Sequence, residues 1–210
     1  MYYDFWIEEH DGKLLKKLGF HSACVVSENL SKGREFSGVK VFAKTTKELR
    51  KKLSIVKEAD FIILDSHNEK IVETAVQMNA IDAVTLHAKY PLIARMAEKN
   101  IAQIINFNEL LNAPENKTAG ILNMMQRSAR LAVKHKAPLL IVSGARNKME
   151  LRSVSDLIGF GEMIGLTQKE AKEALNKHQI KLLKRAELKK EGRWIRPGVE
   201  LISKEEQQCQ

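Results

Sequence analysis

Short apolar runs, rich in β-branched or aromatic residues, return at intervals of about twenty residues along this chain. They fall at residues 3–7, 21–27, 39–44, 61–65, 83–87, 102–106 and 139–143. Most are continuous rather than alternating, as expected of parallel strands covered on both faces. Helical patterns lie between most of them. Leu14, Leu15 and Leu18 mark the first, Leu49, Leu53 and Val56 the next, and Ile71, Ala75 and Met78 another. Thr45-x-x-Glu48, Ser66-x-x-Glu69 and Thr167-x-x-Glu170 fit capping boxes, which satisfy two exposed N–H groups at a helix start. Pro91 suits the first turn of a helix over 91–100. A long helix is predicted over 116–136, with Ile121, Leu122, Met125, Ala129, Ala132 and Val133 inward.

Seven strands with helical crossovers leave two architectures, an α/β barrel or a doubly wound open sheet. Even spacing, with no Gly-rich nucleotide loop after the first strand, favours the barrel. Residues 27–38 are polar without a helical period, so a loop replaces one helix. The expectation is an irregular TIM-like α/β barrel. No linker rich in Gly, Pro or Ser divides the 210 residues, so residues 1–210 read as one barrel domain with a basic, helical C-terminal portion.

At 44% hydrophobic and 29% charged residues, a disordered or fibrous chain is excluded. No apolar run approaches the ~18 residues of a membrane span. The start, Met1-Tyr2-Tyr3-Asp4-Phe5-Trp6, lacks a basic region followed by a long apolar core, so no signal peptide is expected. Cys24 and Cys209 lie outside any C-x-x-C, which argues against a disulfide framework or a zinc ribbon. A reducing, cytoplasmic setting follows.

The net charge of +9 is unevenly placed. Residues 1–116 hold 16 basic and 16 acidic residues, and residues 117–210 hold 19 and 10. The whole excess therefore lies in the C-terminal portion, as a polyanion-binding surface would require. A lysine-rich solvated surface would give the same count.

In a parallel barrel, functional groups come from the C-terminal ends of strands. Those ends supply Glu8, Ser27, Lys44, Asp65, His67, His87, Asn106, Asn108, Ser143 and Arg146. Asp65, His67 and His87 are donors of the kind zinc or manganese accepts. A metal-dependent phosphoesterase on such a barrel would carry H-x-H after the first strand, where this chain has Asp4-Phe5-Trp6. Asp65 and His67 could equally cap the following helix. No G-x-S-x-G elbow and no G-x-x-x-x-G-K-[ST] loop occurs. Ser22 and Cys24 share one strand and read as core residues.

Three basic runs are the better signal. Arg146, Lys148 and Arg152 follow the last strand. Arg127, Arg130 and Lys134 form one stripe of the long helix, opposite its apolar face. Lys169, Lys172, Lys177, Lys181, Lys184 and Arg185 form the third. Arginine grips phosphate bidentately and lysine adds a point charge. Trp194, between Arg193 and Arg196, would either stack on a base or pin the tail to the barrel.

The run Ser143-Gly144-Ala145-Arg146-Asn147-Lys148-Met149-Glu150-Leu151-Arg152-Ser153-Val154-Ser155-Asp156-Leu157, then Gly159-Phe160-Gly161-Glu162-Met163-Ile164-Gly165-Leu166 and Glu170-Ala171-Lys172, resembles the ribonuclease P protein component 3 family. That family is the archaeal relative of the thirty-kilodalton protein subunit of eukaryotic ribonuclease P. Tyr3-Asp4-Phe5 before a leucine-rich first helix also fits. The resemblance implies an irregular barrel of the polymerase/histidinol-phosphatase kind without that kind's metal site. It implies a subunit of the ribonucleoprotein that removes 5′ leaders from precursor tRNA. The RNA subunit would hydrolyse the bond with its own Mg2+, and the protein would bind no cofactor. Ribonuclease P RNA, precursor tRNA and other protein subunits, especially a small α/β one, would be its partners. Arg152 and Asp156 match the Leu-Arg and x-Asp positions of the family motif, and Lys134 and Lys172 fall where members carry basic residues.

The expected RNA-binding set is thus Lys44, Arg127, Arg130, Lys134, Arg146, Lys148, Arg152 and Lys172. Arg152 would join exposed N–H groups at a helix start in one phosphate site. Asp156 would either orient Arg152 or cap that helix. Two other readings stand beside this one: a metal-dependent phosphoesterase using Asp65, His67 and His87, and a protein-interaction scaffold whose charges only solvate helices.

Overall fold

The computed structural model describes residues 1–28, 36–196 and 199–201. Seven strands form one parallel sheet in chain order. They are β1 (Tyr3–Ile7), β2 (Ser22–Ser27), β3 (Ser37–Val41), β4 (Phe61–Leu64), β5 (Ala83–Val84), β6 (Ala102–Asn106) and β7 (Leu139–Val142). The sheet curls until its edges meet. Ile7 bridges Ala145 in parallel, and the Glu8 N–H donates to the Ala145 carbonyl at 2.8 Å. The result is a nearly closed TIM-like barrel, as the spacing of apolar runs requires.

Alternation along each strand explains why the runs are apolar throughout. Phe5, Cys24, Val26, Phe61, Ile63, Ile104, Leu140 and Val142 form an inner cluster. Their neighbours Val25, Val39, Ile62, Leu64, Ile105 and Ile141 belong to a second cluster under the helices. The interior is tight, and a Cβ on Gly38 would lie 3.0 Å from Cys24 Sγ and 3.1 Å from Val26. Burial raises the Cys24 thiol well above its usual range, so it stays protonated and packs as a core residue.

The helices are α1 (Gly12–Lys17), α2 (Thr46–Val56), α3 (Glu69–Met78), α4 (Tyr90–Glu98), α5 (Phe107–Leu111), α6 (Glu115–Lys134), α7 (Val154–Met163), α8 (Gln168–Ala174) and α9 (Lys177–Lys190). A 3-10 turn spans Lys148–Glu150, and a small antiparallel pair, β8 (Trp194–Arg196) and β9 (Val199–Glu200), follows α9. None of the described helices is long and apolar enough to cross a membrane. Residues 29–35 and the Trp194 side chain lie outside the described residues, so the expected loop and the two roles given to Trp194 go unplaced.

Local signals explain most boundaries and the departures from them. Thr167 and Glu170 form the full reciprocal box at α8. At α2 the Thr45 hydroxyl accepts from the Glu48 N–H, but the Glu48 carboxylate takes the Lys44 N–H at 2.9 Å. That bond draws the chain out of the sheet, so β3 ends at Val41 and not at Lys44. At α3 the cap is Asn68, not Ser66; Ser66 instead accepts from the Asn68 N–H at 3.2 Å. On α6, Met125, Ser128, Ala129 and Ala132 are buried. Val133 is 37% exposed, because eight residues beyond Met125 the helix has turned ~80° off the buried stripe.

Helix α9 plugs the floor of the barrel. Leu182 and Ala186 join the inner cluster. Arg185 pairs with the buried Asp82 carboxylate and donates to the Asp60 carbonyl at 3.3 Å. Lys190 reaches Asp60 at 3.3 Å. The same carboxylates accept backbone N–H groups, Asp60 from Ser37 at 3.1 Å and Asp82 from Ile62 at 2.8 Å. Arg185 therefore leaves the expected phosphate-binding run: it is consumed holding α9 beneath the strands. Above this plug, α7 and α8 touch where Gly161 faces Ala171, and a Cβ on Gly161 would lie 2.6 Å from the Ala171 Cβ. The Gly-rich helix followed by an Ala-rich one is a close-packing device.

The seam between β1 and β7 holds a buried carboxylate. Asp4 Oδ1 accepts the Ser143 N–H at 3.2 Å and the Trp6 N–H at 3.3 Å. Burial pushes the Asp4 carboxyl up to about 6 despite these bonds. A carboxyl with a raised folded-state value favours the native state below its unfolded value, and loses that advantage as pH rises through 6. From the value of 3.8 to about 6, the cost of ionised Asp4 at neutral pH is about 3 kcal/mol. Two outcomes follow. The melting temperature of Asp4→Asn minus that of the parent should widen as pH rises from 4 to 7, and a constant difference would refute the ionisation account. Gly161→Val should lose about 1–3 kcal/mol through overpacking, and denaturant melts showing an unchanged midpoint would refute the close contact of α7 and α8.

Candidate nucleic-acid interface

The segment after β7 is built as a rigid rim on the C-terminal side of the strands. Gly144 adopts φ +64, and a Cβ there would collide with the Asn106 side-chain amide. Asn108 Nδ2 donates to the Gly144 carbonyl at 2.9 Å and to Glu150 Oε2 at 3.0 Å. Glu150 Oε2 also accepts the Arg146 N–H at 2.9 Å. Asn147 caps the 3-10 turn by accepting the Met149 N–H at 2.9 Å. Each polar side chain of this turn except the cations is spent on backbone, so the loop has a defined shape.

The three rim cations are not equivalent. Arg146 is exposed, and its guanidinium makes no ion pair or hydrogen bond with a described residue. Lys148 is tied to Asp11 at 3.0 Å, which joins the rim to the cap of α1. That contact raises the Lys148 ammonium. Asp11 is lowered first by the Leu14 N–H and then by Lys148. The Arg152 guanidinium lies 5.4 Å from the centre of the Phe107 ring. Its Nη1 donates to the carbonyls of Met149 at 3.0 Å and Leu151 at 2.9 Å. Phe107 in turn meets Phe160 edge-on at 5.1 Å. Arg152 thus braces the rim against α5 and α7 while staying half-exposed.

Asp156 takes the second of its two expected roles. Its carboxylate accepts the Ser153 N–H at 3.0 Å, and the Ser153 hydroxyl accepts the Asp156 N–H at 3.1 Å. The Ser153 side chain is the main cause of its lowered carboxyl, with Arg152 a small contributor. Orientation of Arg152 by Asp156 is corrected accordingly, since the carbonyls and Phe107 hold Arg152. The expected joint phosphate site at the α7 start is corrected too, because a carboxylate already occupies that helix terminus.

Lys44 is exposed on the same rim, three residues beyond β3, and three strands separate β3 from β7 in the sheet. Arg127, Arg130 and Lys134 are exposed along α6, and Lys172 is exposed on α8, where it reaches Gln168 Oε1 at 3.0 Å. The structure does not gather these four with the rim. Sequence reasoning missed Asn108 and Glu150 as the organisers of the loop, and an acidic residue inside a basic segment was the available signal.

The donors of the phosphoesterase reading do not converge. Asp65 accepts the Thr85 hydroxyl at 2.9 Å, His87 Nε2 lies 3.3 Å from Glu109 Oε2, and His67 is exposed. Among the described residues no three His, Cys, Asp or Glu side chains stand close enough to share an ion.

The chain is similar to known proteins over most of its length. The model of a family described as RNase P subunit p30 matches residues 3–191. A Methanococcus maripaludis protein named ribonuclease P protein component 3 is 27% identical over 180 residues, covering 73% of this chain and 78% of its own length. A Thermococcus kodakarensis protein of the same name is 32% identical over 87 residues, 41% of this chain and 40% of that one. A chain in the cryo-EM structure of archaeal ribonuclease P with mature tRNA superposes with a TM-score of 0.83 at 22% identity, covering 97% of this chain and 99% of that one.

Arg152→Ala should cost about 1–2 kcal/mol, from the lost ring contact and two hydrogen bonds at a half-exposed site. Arg152→Lys should recover less than half of it, because an ammonium cannot both stack and fork. Equal stability of all three proteins in thermal melts would remove the bracing role.

Proposed function

This chain belongs to the RNase P subunit p30 family, and from that premise we propose that it supports the catalytic RNA of the ribonucleoprotein that cuts 5′ leaders from precursor tRNA. Ribonuclease P RNA, precursor tRNA and the other protein subunits, a small α/β one among them, are its partners, and the cytoplasm is its place of work. Hydrolysis belongs to the RNA and its Mg2+, with no cofactor held by this protein. The metal-dependent phosphoesterase is not favoured, since Thr85 and Glu109 already engage Asp65 and His87.

The observation that carries the reading, beside the family match, is the shape of the rim. A cation without an internal partner projects from a loop whose backbone is pinned by Asn108, Glu150 and Asn147. Preorganisation of this kind lowers the ordering cost of gripping a phosphate. Arg146 contacts the RNA backbone, with Lys44 on the same rim. Lys148 and Arg152 position the loop through Asp11 and Phe107, and both keep a charge facing solvent. Arg127, Arg130, Lys134 and Lys172 complete the RNA-binding set.

Reconstitution tests this role. Precursor-tRNA cleavage by the cognate RNA and remaining protein subunits, at moderate Mg2+, should drop at least tenfold when this chain is omitted, and the chain alone should cleave nothing. Arg146→Glu should weaken RNA affinity and lower its salt dependence while leaving the melting temperature unchanged. Undiminished cleavage on omission would refute the proposal.

A further inference from the structure

Strand β7 separates two groups of cations. Lys134 and Lys136 precede it and Arg146 follows it. The four residues of β7, at ~3.3 Å each, span roughly 13 Å between the two groups, which lie at opposite ends of the barrel.

On the underside, α6 ends in exposed Arg130 and Lys134. Lys136 follows with φ +56, which turns the chain into β7 and leaves its side chain exposed. Val133 and Lys136 line one wall of a cavity of about 300 Å³, whose other wall includes Glu170, Glu173, Lys177 and His178. A second cavity, of about 610 Å³, shares Glu173 and Lys177 and runs on to Lys172 and Lys169. Two basic runs far apart in sequence are therefore one tract. Glu173 pairs with Lys177 at 3.4 Å. Arg130, Lys134, Lys136 and Lys169 make no ion pair with any described residue. Burial, with Lys181 and Lys177 beside it, pushes the His178 imidazole down to about 4, so it stays neutral and the lysines alone carry the charge.

The tract also has an aromatic face. Tyr90 is 58% exposed. Its ring lies 4.9 Å from that of His135, which sits between Lys134 and Lys136. Lysines alone would serve any polyanion. An exposed ring beside a basic segment is the combination that unpaired nucleotides use.

We propose that the underside of the barrel is a second RNA-binding surface, separate from the rim, which follows a phosphodiester backbone along Arg130, Lys134, Lys136 and Lys177 and stacks an unpaired base on Tyr90. The chain then bridges two RNA segments across the length of its barrel. This inference rests on the reading of the chain as a ribonuclease P subunit.

The test uses the full chain assembled with cognate ribonuclease P RNA and the remaining protein subunits, with hydroxyl-radical footprinting as the readout and Arg146→Glu as the rim variant. Lys134→Glu with Lys136→Glu should lower the salt slope of RNA affinity by about one to two. Tyr90→Ala should weaken binding on the order of tenfold without changing that slope. Rim and underside variants should lose protection at different RNA segments. Loss of one shared segment would overturn the inference, as would underside variants that bind and footprint like the parent while Arg146→Glu is impaired. An underside variant that sheds a protein subunit with its RNA footprint intact would overturn it in favour of a protein interface. If neither rim nor underside variants alter RNA binding, the subunit reading falls with it.

Discussion

Everything else in this molecule depends on closing seven short strands into a ring. An open sheet of two- to six-residue strands would leave Phe5, Phe61, Ile104 and Leu140 facing water on one side. Closure is achieved at one seam, where backbone pairing is reduced to the Ile7–Ala145 bridge and the Glu8–Ala145 hydrogen bond. Asp4 supplements that pairing by accepting the Ser143 N–H across the gap. Its carboxyl has no bulk water around it, which is why the same group that joins the edges is raised in pKa. The seam lies directly beneath the rim. Residues 143–146 run directly from the end of the closing strand into the Arg146 loop, so the candidate interface inherits its position from barrel closure.

The basic surplus has been divided by tertiary structure. Arg185 and Lys190 neutralise Asp82 and Asp60 under the strands, and Lys148 neutralises Asp11 across two loops. These ions fasten α9 to the floor and the rim to α1. Among the cations left without an acidic partner among the described residues are Arg146 above and Arg130, Lys134 and Lys136 below. A formal charge of +9 is thus an incomplete guide to a binding surface. What matters is which charges the fold leaves unspent.

That division marks the limit of what was legible from the amino acids. Strand number, order and the barrel were legible because burial on both faces forces continuous apolar runs. The α8 cap was legible because Thr167 and Glu170 satisfy a local pattern. Ser66 misled because Asn68, two residues on, competes for the same N–H groups and caps better. Arg152 and Asp156 were legible as a pair by their spacing but not in their roles, since Phe107 and the Leu151 carbonyl reach Arg152 only through the fold. Ion pairs such as Arg185 with Asp82 join residues about a hundred positions apart and have no local signature.

The place where a barrel of this kind would do metal chemistry is occupied by packing. After β1 such chemistry needs two imidazoles, and this chain supplies Asp4 and Trp6. Asp4 is turned to the seam. Trp6 is buried, with the Lys40 ammonium 5.7 Å from its ring centre. A cation over an indole repels a second cation, so the pair works against a metal ion as well as filling space. Asp65 and His87 are then free to take Thr85 and Glu109 as partners, which fixes the neighbouring loops. The cations without acidic partners among the described residues, Arg146, Arg130 and Lys134 among them, lie instead on the outer surface of the barrel.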